Sequence, residues 1–348
     1  MKNFIILIFL LISACAIDQP ISSSQTDEQT FEITSFGSPL TLDIVTWNIQ
    51  NFPKNGNVTI DAISQIIQDL NVDIIALQEI EGNVAFNNIL ESLECSEVQS
   101  DLFGDCNESL GWGYTLNGCQ EIIGCSNYNS SVNLYSNYNE CYNVCNAEWE
   151  GYRANSASYS MNLAYIYNTS KISIHSIYEI FTDDWWSFPR SPLVLEFFYE
   201  NEEFVIINNH FKCCDGSEDR RYSATNLLRD YIYNEFNNDK VFIVGDLNDS
   251  ITDSESSNVF INLLNDSLFY FTDFNIASGS SSNWSYPTYP SHIDHIIISN
   301  ELFDIYNSSG LASTQTIKID DELNGGWSEY DLNISDHRPV GIRLEINN

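Results

Sequence analysis

Apolar and polar positions alternate from Thr41 to Gln50 (TLDIVTWNIQ), and β-branched residues are frequent there, which predicts a strand. The period then changes. Ile60, Ile63, Ile66, Ile67 and Leu70 fall at helical spacing within Val58–Leu70, Val72–Ile80 reads as a second strand, and Val84–Leu93 is helical again. Strand, helix and strand in so short a span predict a crossover connection.

Residues 94 to about 155 lose this order. They are rich in Asn, Ser, Gly, Tyr and Cys, and are expected to be an insertion too poor in apolar residues to hold a core of its own. Short strands resume at Asn162–Asn168, Ser173–Ile180, Leu193–Tyr199 and Phe204–His210. A helix is predicted over roughly Asp219–Phe236 and a buried type of strand over Val241–Asp246. Strands at Ile293–Ser299 and Val340–Ile346 close the chain. Strands dominate and helices separate some of them, so the pattern predicts a two-layer α/β sandwich rather than a purely parallel wound sheet. The chain shows no internal repeat.

The N-terminus carries a different pattern. Lys2 precedes an uninterrupted apolar stretch, Phe4–Ile12, with the length of a signal-peptide core and too short to span a membrane. It runs into Ile12-Ser13-Ala14-Cys15, which resembles a bacterial lipobox, with Cys15 lipidated as the mature N-terminus. An ordinary secretory signal is the alternative. On this reading residues 1–14 are a lipoprotein signal peptide, and residues 15–40 are lipidated Cys15 and a polar, flexible tether. Residues 41–348 form the domain that carries the insertion. The protein is expected to be exported and held at the outer membrane or cell surface, or secreted if Cys15 is not lipidated.

Export gives the nine cysteines a purpose. Eight remain beyond Cys15: Cys95, Cys106, Cys119, Cys125, Cys141, Cys145, Cys213 and Cys214. An even set in an oxidising compartment points to as many as four disulfides, while Cys119–Cys125 and Cys141–Cys145 match zinc-ligand spacing poorly. Cys213 and Cys214 are expected to pin their loop to the insertion.

Charge narrows the partners. The 348 residues include 49 acidic and 13 basic side chains, a formal charge of −36. That excludes coating nucleic acid by broad electrostatic attraction, yet allows one small, locally basic site. Arg190, Lys212, Arg220 and Arg221, four of the thirteen, are expected to lie close to the polar residues described next. Arg220 and Arg221 serve equally well as pairing residues at the start of their helix.

Polar residues recur at the ends of the apolar strands: Asn48, Gln78-Glu79, His210, Asp246 and Asn248, Asp294, and Asp336-His337. Singly, each has an ordinary structural explanation, since a Glu after a strand is usually solvated and Asn248-Asp249 is turn chemistry. Gathered on one edge of a sandwich, a carboxylate-rich set with Asn suits Mg2+ or Mn2+, and imidazoles beside carboxylates supply acid–base function near neutral pH.

The ordered set Trp47-Asn48, Leu77-Gln78-Glu79, Asn208-Asn209-His210, Gly245-Asp246-Leu247-Asn248, Ile293-Asp294-His295 and Ser335-Asp336-His337-Arg338-Pro339-Val340 resembles the endonuclease/exonuclease/phosphatase superfamily. Deoxyribonuclease I, exonuclease III and neutral sphingomyelinase belong to it. The resemblance covers residues 41–348 apart from the insertion, and implies a four-layer, deoxyribonuclease-I-like α/β sandwich of two mixed sheets flanked by helices. It implies Glu79 as main ligand of a catalytic Mg2+ or Mn2+, helped by Asn48 and Asp336. Asp246 and Asn248 would orient or activate the attacking water, His337 paired with Asp294 would serve acid–base catalysis, and His210 would lie beside the scissile phosphate. Arg190 resembles the arginine that family nucleases place near the substrate phosphate. A Tyr or Glu that the family often carries before its third strand is unreadable here among the insertion's many tyrosines. Trp185-Trp186 fits base stacking, contact with lipid or a core role.

The expected activity is metal-dependent phosphodiester hydrolysis outside the cytoplasm, by a monomeric endonuclease acting on DNA or RNA and touching the membrane only through its lipid. A phosphatase or a sphingomyelinase-like phospholipid phosphodiesterase on the same scaffold is the alternative, and a non-catalytic surface-binding lipoprotein is a third reading.

Overall fold

In the computed structural model, which describes residues 31–93, 112–115, 121–123, 134–135, 149–157, 160–308 and 310–346, alternation sorts the strand side chains into layers. Leu42 and Ile44 of β1 (Leu42–Phe52) join one apolar cluster, and Val45, Trp47 and Ile49 join another on the opposite face. The first sheet has the order β14 (Ser313–Thr316), β15 (Val340–Leu344), β1, β2 (Ile74–Ile80), β7 (Asn162–Asn168), β6 (Trp149–Arg153). The second runs β12 (Phe269–Phe271), β13 (Asp294–Ser299), β11 (Lys240–Asp246), β10 (Glu202–His210), β9 (Leu193–Tyr199), β8 (Ser173–Glu179). A separate small sheet pairs β3 (Trp112–Thr115) with β4 (Glu121–Ile123) and β5 (Leu134–Tyr135).

Each large sheet holds one parallel pair in an otherwise antiparallel arrangement: β1 with β2, and β10 with β11. A parallel pair needs a crossover, and a helix supplies it in both cases. Helix α1 (Asn57–Leu70) links β1 to β2 and, with α2 (Asn83–Leu93), buries Ile63, Ile67 and Ile89 beside Trp47 and Leu77. Helix α3 (Glu218–Glu235) links β10 to β11, and Ala224, Leu228 and Ile232 share a cluster with Val205, Ile207 and Val241. Between the sheets lie Ile44, Ile74, Tyr165, Phe204, Ile206 and Val244 with their neighbours. Helix, sheet, sheet and helix make four layers, not the two that strand counting predicts. The strand faces turned away from the facing sheet are as apolar as those between the sheets, so helices must cover both.

Directional polar contacts cross the middle layer. The Tyr165 hydroxyl of the first sheet accepts from Asn208 N at 3.0 Å and lies 2.8 Å from the Leu193 carbonyl oxygen of the second. Gln78 Nε2 donates to Asn208 Oδ1 at 2.8 Å, and Asn208 Nδ2 donates to the Leu77 carbonyl.

Two boundaries differ from the sequence pattern. Residues 31–40, read as the end of a tether, bury Ile33 and Phe36 in the outer cluster of the first sheet. Gly37 donates to the Leu70 carbonyl at 2.8 Å, and a Cβ on it would meet the Asn71 carbonyl oxygen at 1.7 Å. Trp149–Arg153, at the end of the segment read as an insertion, is instead an edge strand paired with β7. The six cysteines from Cys95 to Cys145 and the segment from Met1 through Cys15 lie outside the described residues.

Candidate active site

The strand period alone carries most of the site to one place. Asn48 follows Ile44 and Thr46 on the inner face of β1, Asp246 follows Phe242 and Val244, and His210 follows Ile206 and Asn208. Asp294 opens β13 on the face of Ile296 and Ile298. Pairing then sets them side by side, because His210 is the register partner of Asp246 and Asp246 that of Asp294. These four occupy one edge of the inner layer, where the parallel pairs end.

Glu79 breaks the period. It follows the inward-facing Gln78 and by alternation belongs on the outer face, but its φ is 67° and the pairing of β2 shifts register on both sides. The irregularity re-aims the carboxylate. Its Oε1 accepts from Asn48 Nδ2 at 3.1 Å and its Oε2 from Asn51 N at 2.8 Å. Asn48 Nδ2 also donates to Asp246 Oδ2 at 2.9 Å, so one amide links carboxylates of the two sheets. Asn248 (φ 56°) donates from its backbone N to Asp246 Oδ1 and from Nδ2 to the Phe211 carbonyl. Gly245 makes this turn possible: at φ 140°, a Cβ there would lie 2.0 Å from the Asn209 carbonyl oxygen.

His337 is held through its backbone. Its carbonyl accepts from the Trp47 indole at 3.2 Å and the Tyr330 hydroxyl at 2.7 Å, and its N donates to Ser335 Oγ. The ring Nδ1 lies 2.8 Å from Asp294 Oδ2, and Nε2 lies 3.9 Å from both Asp246 Oδ2 and Asp336 Oδ1. Burial opposes its charge, but the Asp294 and Asp246 carboxylates outweigh it and push the imidazole up to about 10. His210 is the opposite case. Burial, then Arg190, His337 and Lys212, hold it well below its ordinary range, so it is neutral, with Nε2 3.4 Å from Asp246 Oδ2. Burial pushes Asp246 up to about 7 against the pull of His337 and the Asn48 amide. Asp336 is raised by burial too, and its Oδ2 accepts from Gln50 Nε2 at 2.8 Å.

Two residues escape the sequence reading. Gln50, two positions beyond Asn48, shares its strand parity and reaches Asp336; that spacing was a usable signal. Tyr286 packs against the His337 ring, with centroids 4.6 Å apart and planes tilted by 34°, from a loop whose sequence carries no sign of it. A second, fully buried group lies behind the site. Asp273 Oδ2 accepts from His295 Nδ1 at 2.6 Å and from His292 Nε2 at 3.0 Å, and His295 Nε2 donates to the Asp249 carbonyl at 2.9 Å. Both ring nitrogens of His295 face acceptors; burial works against its charge, but Asp273 prevails and raises it. These three side chains bring ligand-type atoms within 4.8 Å of one another. Because His292 Nδ1 accepts from Ser285 N, its Nε2 carries the proton, which makes the group a hydrogen-bonded one rather than a metal cradle.

The basic residues separate. Arg190 is buried, and its Nη1 donates to the Phe211 carbonyl at 3.4 Å; its Nε has no partner among the described residues. It lies close enough to Glu79 and Asp246 to feel both carboxylates. Arg221 is internal to the protein, donating to Asp249 Oδ2 at 2.8 Å and to the Lys212 and Cys214 carbonyls, so it is a loop clamp rather than a free cation. Arg220 holds the Trp185 carbonyl at 3.0 Å and lies over the Trp186 ring; the two tryptophans are 72% and 44% exposed and form no part of the core. Among the described residues Cys213 and Cys214 are free thiols that lie against each other, and their expected partners, the cysteines of residues 95–145, lie outside the described residues.

The donor set fits a hard divalent cation. Glu79, Asp246 and Asp336 bring oxygen donors together, and the buried Gln50 Oε1 has no partner among the described residues. Asn48 turns Nδ2 toward two of these carboxylates and Oδ1 toward Gln50 N, so its oxygen would serve a cation once the amide turned over.

Two face-to-face mixed sheets with a carboxylate and histidine cluster at one edge define a hydrolase-type α/β sandwich. The profile of the Endonuclease/Exonuclease/phosphatase family matches residues 45–337, and the chain belongs to that family. No curated protein sequence matches it. In structure it is similar to TDP2 of D. rerio complexed with a single-strand DNA product (TM-score 0.55, 10% identity, 88% of this chain and 99% of that one). It is also similar to an endonuclease/exonuclease/phosphatase protein of Bacteroides vulgatus (TM-score 0.54, 13% identity, 88% of this chain and 99% of that one). The human Nocturnin catalytic domain with bound sulfate gives 0.54 at 12% identity, over 88% of this chain and 95% of that one.

Proposed function

We propose that the chain is a divalent-metal-dependent phosphodiesterase that cuts nucleic acid internally. The observation that carries this reading is the His337–Asp294 pair, 2.8 Å apart, set beside the Asn48–Glu79–Asp246 cluster with His337 Nε2 3.9 Å from Asp246 Oδ2. Glu79, Asn48 and Asp336 would hold Mg2+ or Mn2+, and when bound the cation offsets charge on the phosphate and its transition state. Asp246, with a proton affinity near neutrality and a fixed place beside Asn48 and Asn248, orients the attacking water and accepts its proton. His337, charged and aligned by Asp294, stabilises the developing charge at its Nε2 and protonates the leaving oxygen. His210 and the Arg190 guanidinium, both close to Asp246, would face the phosphate oxygens.

Nucleic acid as substrate is supported by the exposed Trp185 and Trp186 beside Arg220, a surface suited to stacking bases, and by the single-strand DNA product of the similar TDP2. The charge of −36 favours the second reading, a phosphatase or phospholipid phosphodiesterase with a small substrate. Action outside the cytoplasm, with a lipid on Cys15, rests on the N-terminal sequence alone.

The test is incubation of the full chain with supercoiled plasmid and Mg2+, beside EDTA and His337→Ala controls. Nicking that both controls abolish supports the nuclease. Intact plasmid, with turnover of a phosphate monoester or sphingomyelin, overturns it in favour of the second reading.

A further inference from the structure

We propose that Cys213 and Cys214 form a redox-active vicinal dithiol that low-molecular-weight disulfides oxidise reversibly to an intraloop disulfide. Neighbouring side chains in extended backbone point to opposite sides, so two adjacent residues touch only where the chain turns. It turns here: Cys214 has φ 78°, in the left-handed region that non-glycine residues seldom occupy, and its Sγ lies 2.7 Å from Cys213 Sγ. Neither thiol belongs to the apolar core, since Cys214 is exposed and Cys213 is half-buried. Lys212 Nζ lies 3.4 Å from Cys213 Sγ, a cation beside the sulfur that would attack. Burial works against the Cys213 thiolate, but the Cys214 hydrogen bond and Lys212 prevail and lower its proton affinity; Cys214 is raised by donating that bond.

The exchange balances. The Cys213 thiolate attacks one sulfur of an oxidised glutathione, forming a mixed disulfide and expelling one glutathione thiolate. Cys214 then loses its proton to water, and its sulfur displaces the second glutathione from Cys213. Two electrons pass from the protein to the small disulfide, which leaves as two thiols. The ring so closed spans a single peptide, with Cα atoms about 3.8 Å apart, below the usual disulfide range, and a strained disulfide is easily reduced.

The loop is also wired to the candidate active site. The Phe211 carbonyl accepts from Arg190 and Asn248, and the Lys212 and Cys214 carbonyls accept from Arg221, which holds Asp249. Arg190 and Asn248 thus rest on backbone two residues before Cys213.

The test equilibrates the full chain in buffers of graded reduced and oxidised glutathione, traps free thiols with an alkylating agent, and maps peptides by mass. The peptide carrying both cysteines is expected unalkylated and about 2 Da lighter at the oxidising end, and doubly alkylated after reduction. Cys214→Ser is expected to trap glutathione on Cys213, while Cys213→Ser reacts at least about tenfold more slowly. Alkylation of both cysteines throughout, or a link from either one to a peptide from residues 95–145, overturns the proposal. None of these readouts depends on the protein being a nuclease.

Discussion

Asn48 Nδ2 lies 2.9 Å from Asp246 Oδ2, a contact between side chains on β1 and β11, strands of different sheets. The same nitrogen serves Glu79, so one neutral amide relieves two carboxylates. In Asn48→Ala, Asp246 and Glu79 lose their shared donor. Mg2+ affinity and activity are expected to fall by about 10–100-fold, with unfolding near wild type. Calorimetric titration with Mg2+ beside a melting curve checks this, and unchanged affinity would remove Asn48 from the ligand group.

The His337–Asp294 pair is expected to act as one unit. Asp294→Asn keeps the shape but removes the charge that aligns the ring and holds it protonated. Turnover should drop by about 10²–10⁴-fold, and the Asp294→Asn/His337→Ala double variant should be little worse than His337→Ala. Steady-state rates of the three variants check it; additive losses would mean that the residues work independently.

The buried Asp273–His295 pair is a matter of folding more than chemistry. Asp273→Ala leaves the buried His295 and His292 without their acceptor, at a cost of about 3–5 kcal/mol. His295 also supports the Asp249 carbonyl, three residues past Asp246, so part of the activity should go as well. Urea midpoints of Asp273→Ala, His295→Ala and the double variant give the coupling, and a coupling near zero would show that the pair is not one.

Stability should depend on pH through a site at the far end of the strands. Burial and the neighbouring Asp73 push Asp43 up to about 7, despite hydrogen bonds from Ser38 N and the Thr41 hydroxyl. The folded state therefore keeps a proton that the unfolded chain releases near pH 4, and stability falls as pH rises from about 4 to about 7. Melting temperature should drop by a few degrees over that window, and Asp43→Asn should flatten the slope. An unchanged slope in that variant would move the effect to Asp69 or Asp73, both also raised by burial.

Much of this was legible in strand period. The alternation that makes Ile44 and Val244 core residues also sets Asn48 and Asp246 on the inner face, and the helical spacing of Ile60, Ile63 and Ile67 gave α1 and its crossover. Glu79 stood out by its motif, though its orientation did not follow, because a positive φ has no signature in a Glu. The polar β14 (STQT) and the helix Gly326–Asn333 gave little pattern to read. Tyr286 meets His337 only through a loop whose course depends on tertiary contacts. For Arg221 the sequence leaves a phosphate-binding and a pairing role equally open, and only Asp249 and two carbonyls closing around it decide for pairing.

The contacts that Tyr165 and Gln78 make with the second sheet carry a mechanical consequence. The hydrophobic attraction between the two sheets is non-directional and by itself sets their alignment less sharply than hydrogen bonds do. Hydrogen bonds with fixed partners act as dowels, because any slip breaks them where no water can compensate. Glu79 and Asp246 stand on opposite plates of this joint, so the gap between them is gauged by pins in the interior rather than by the loops at the rim.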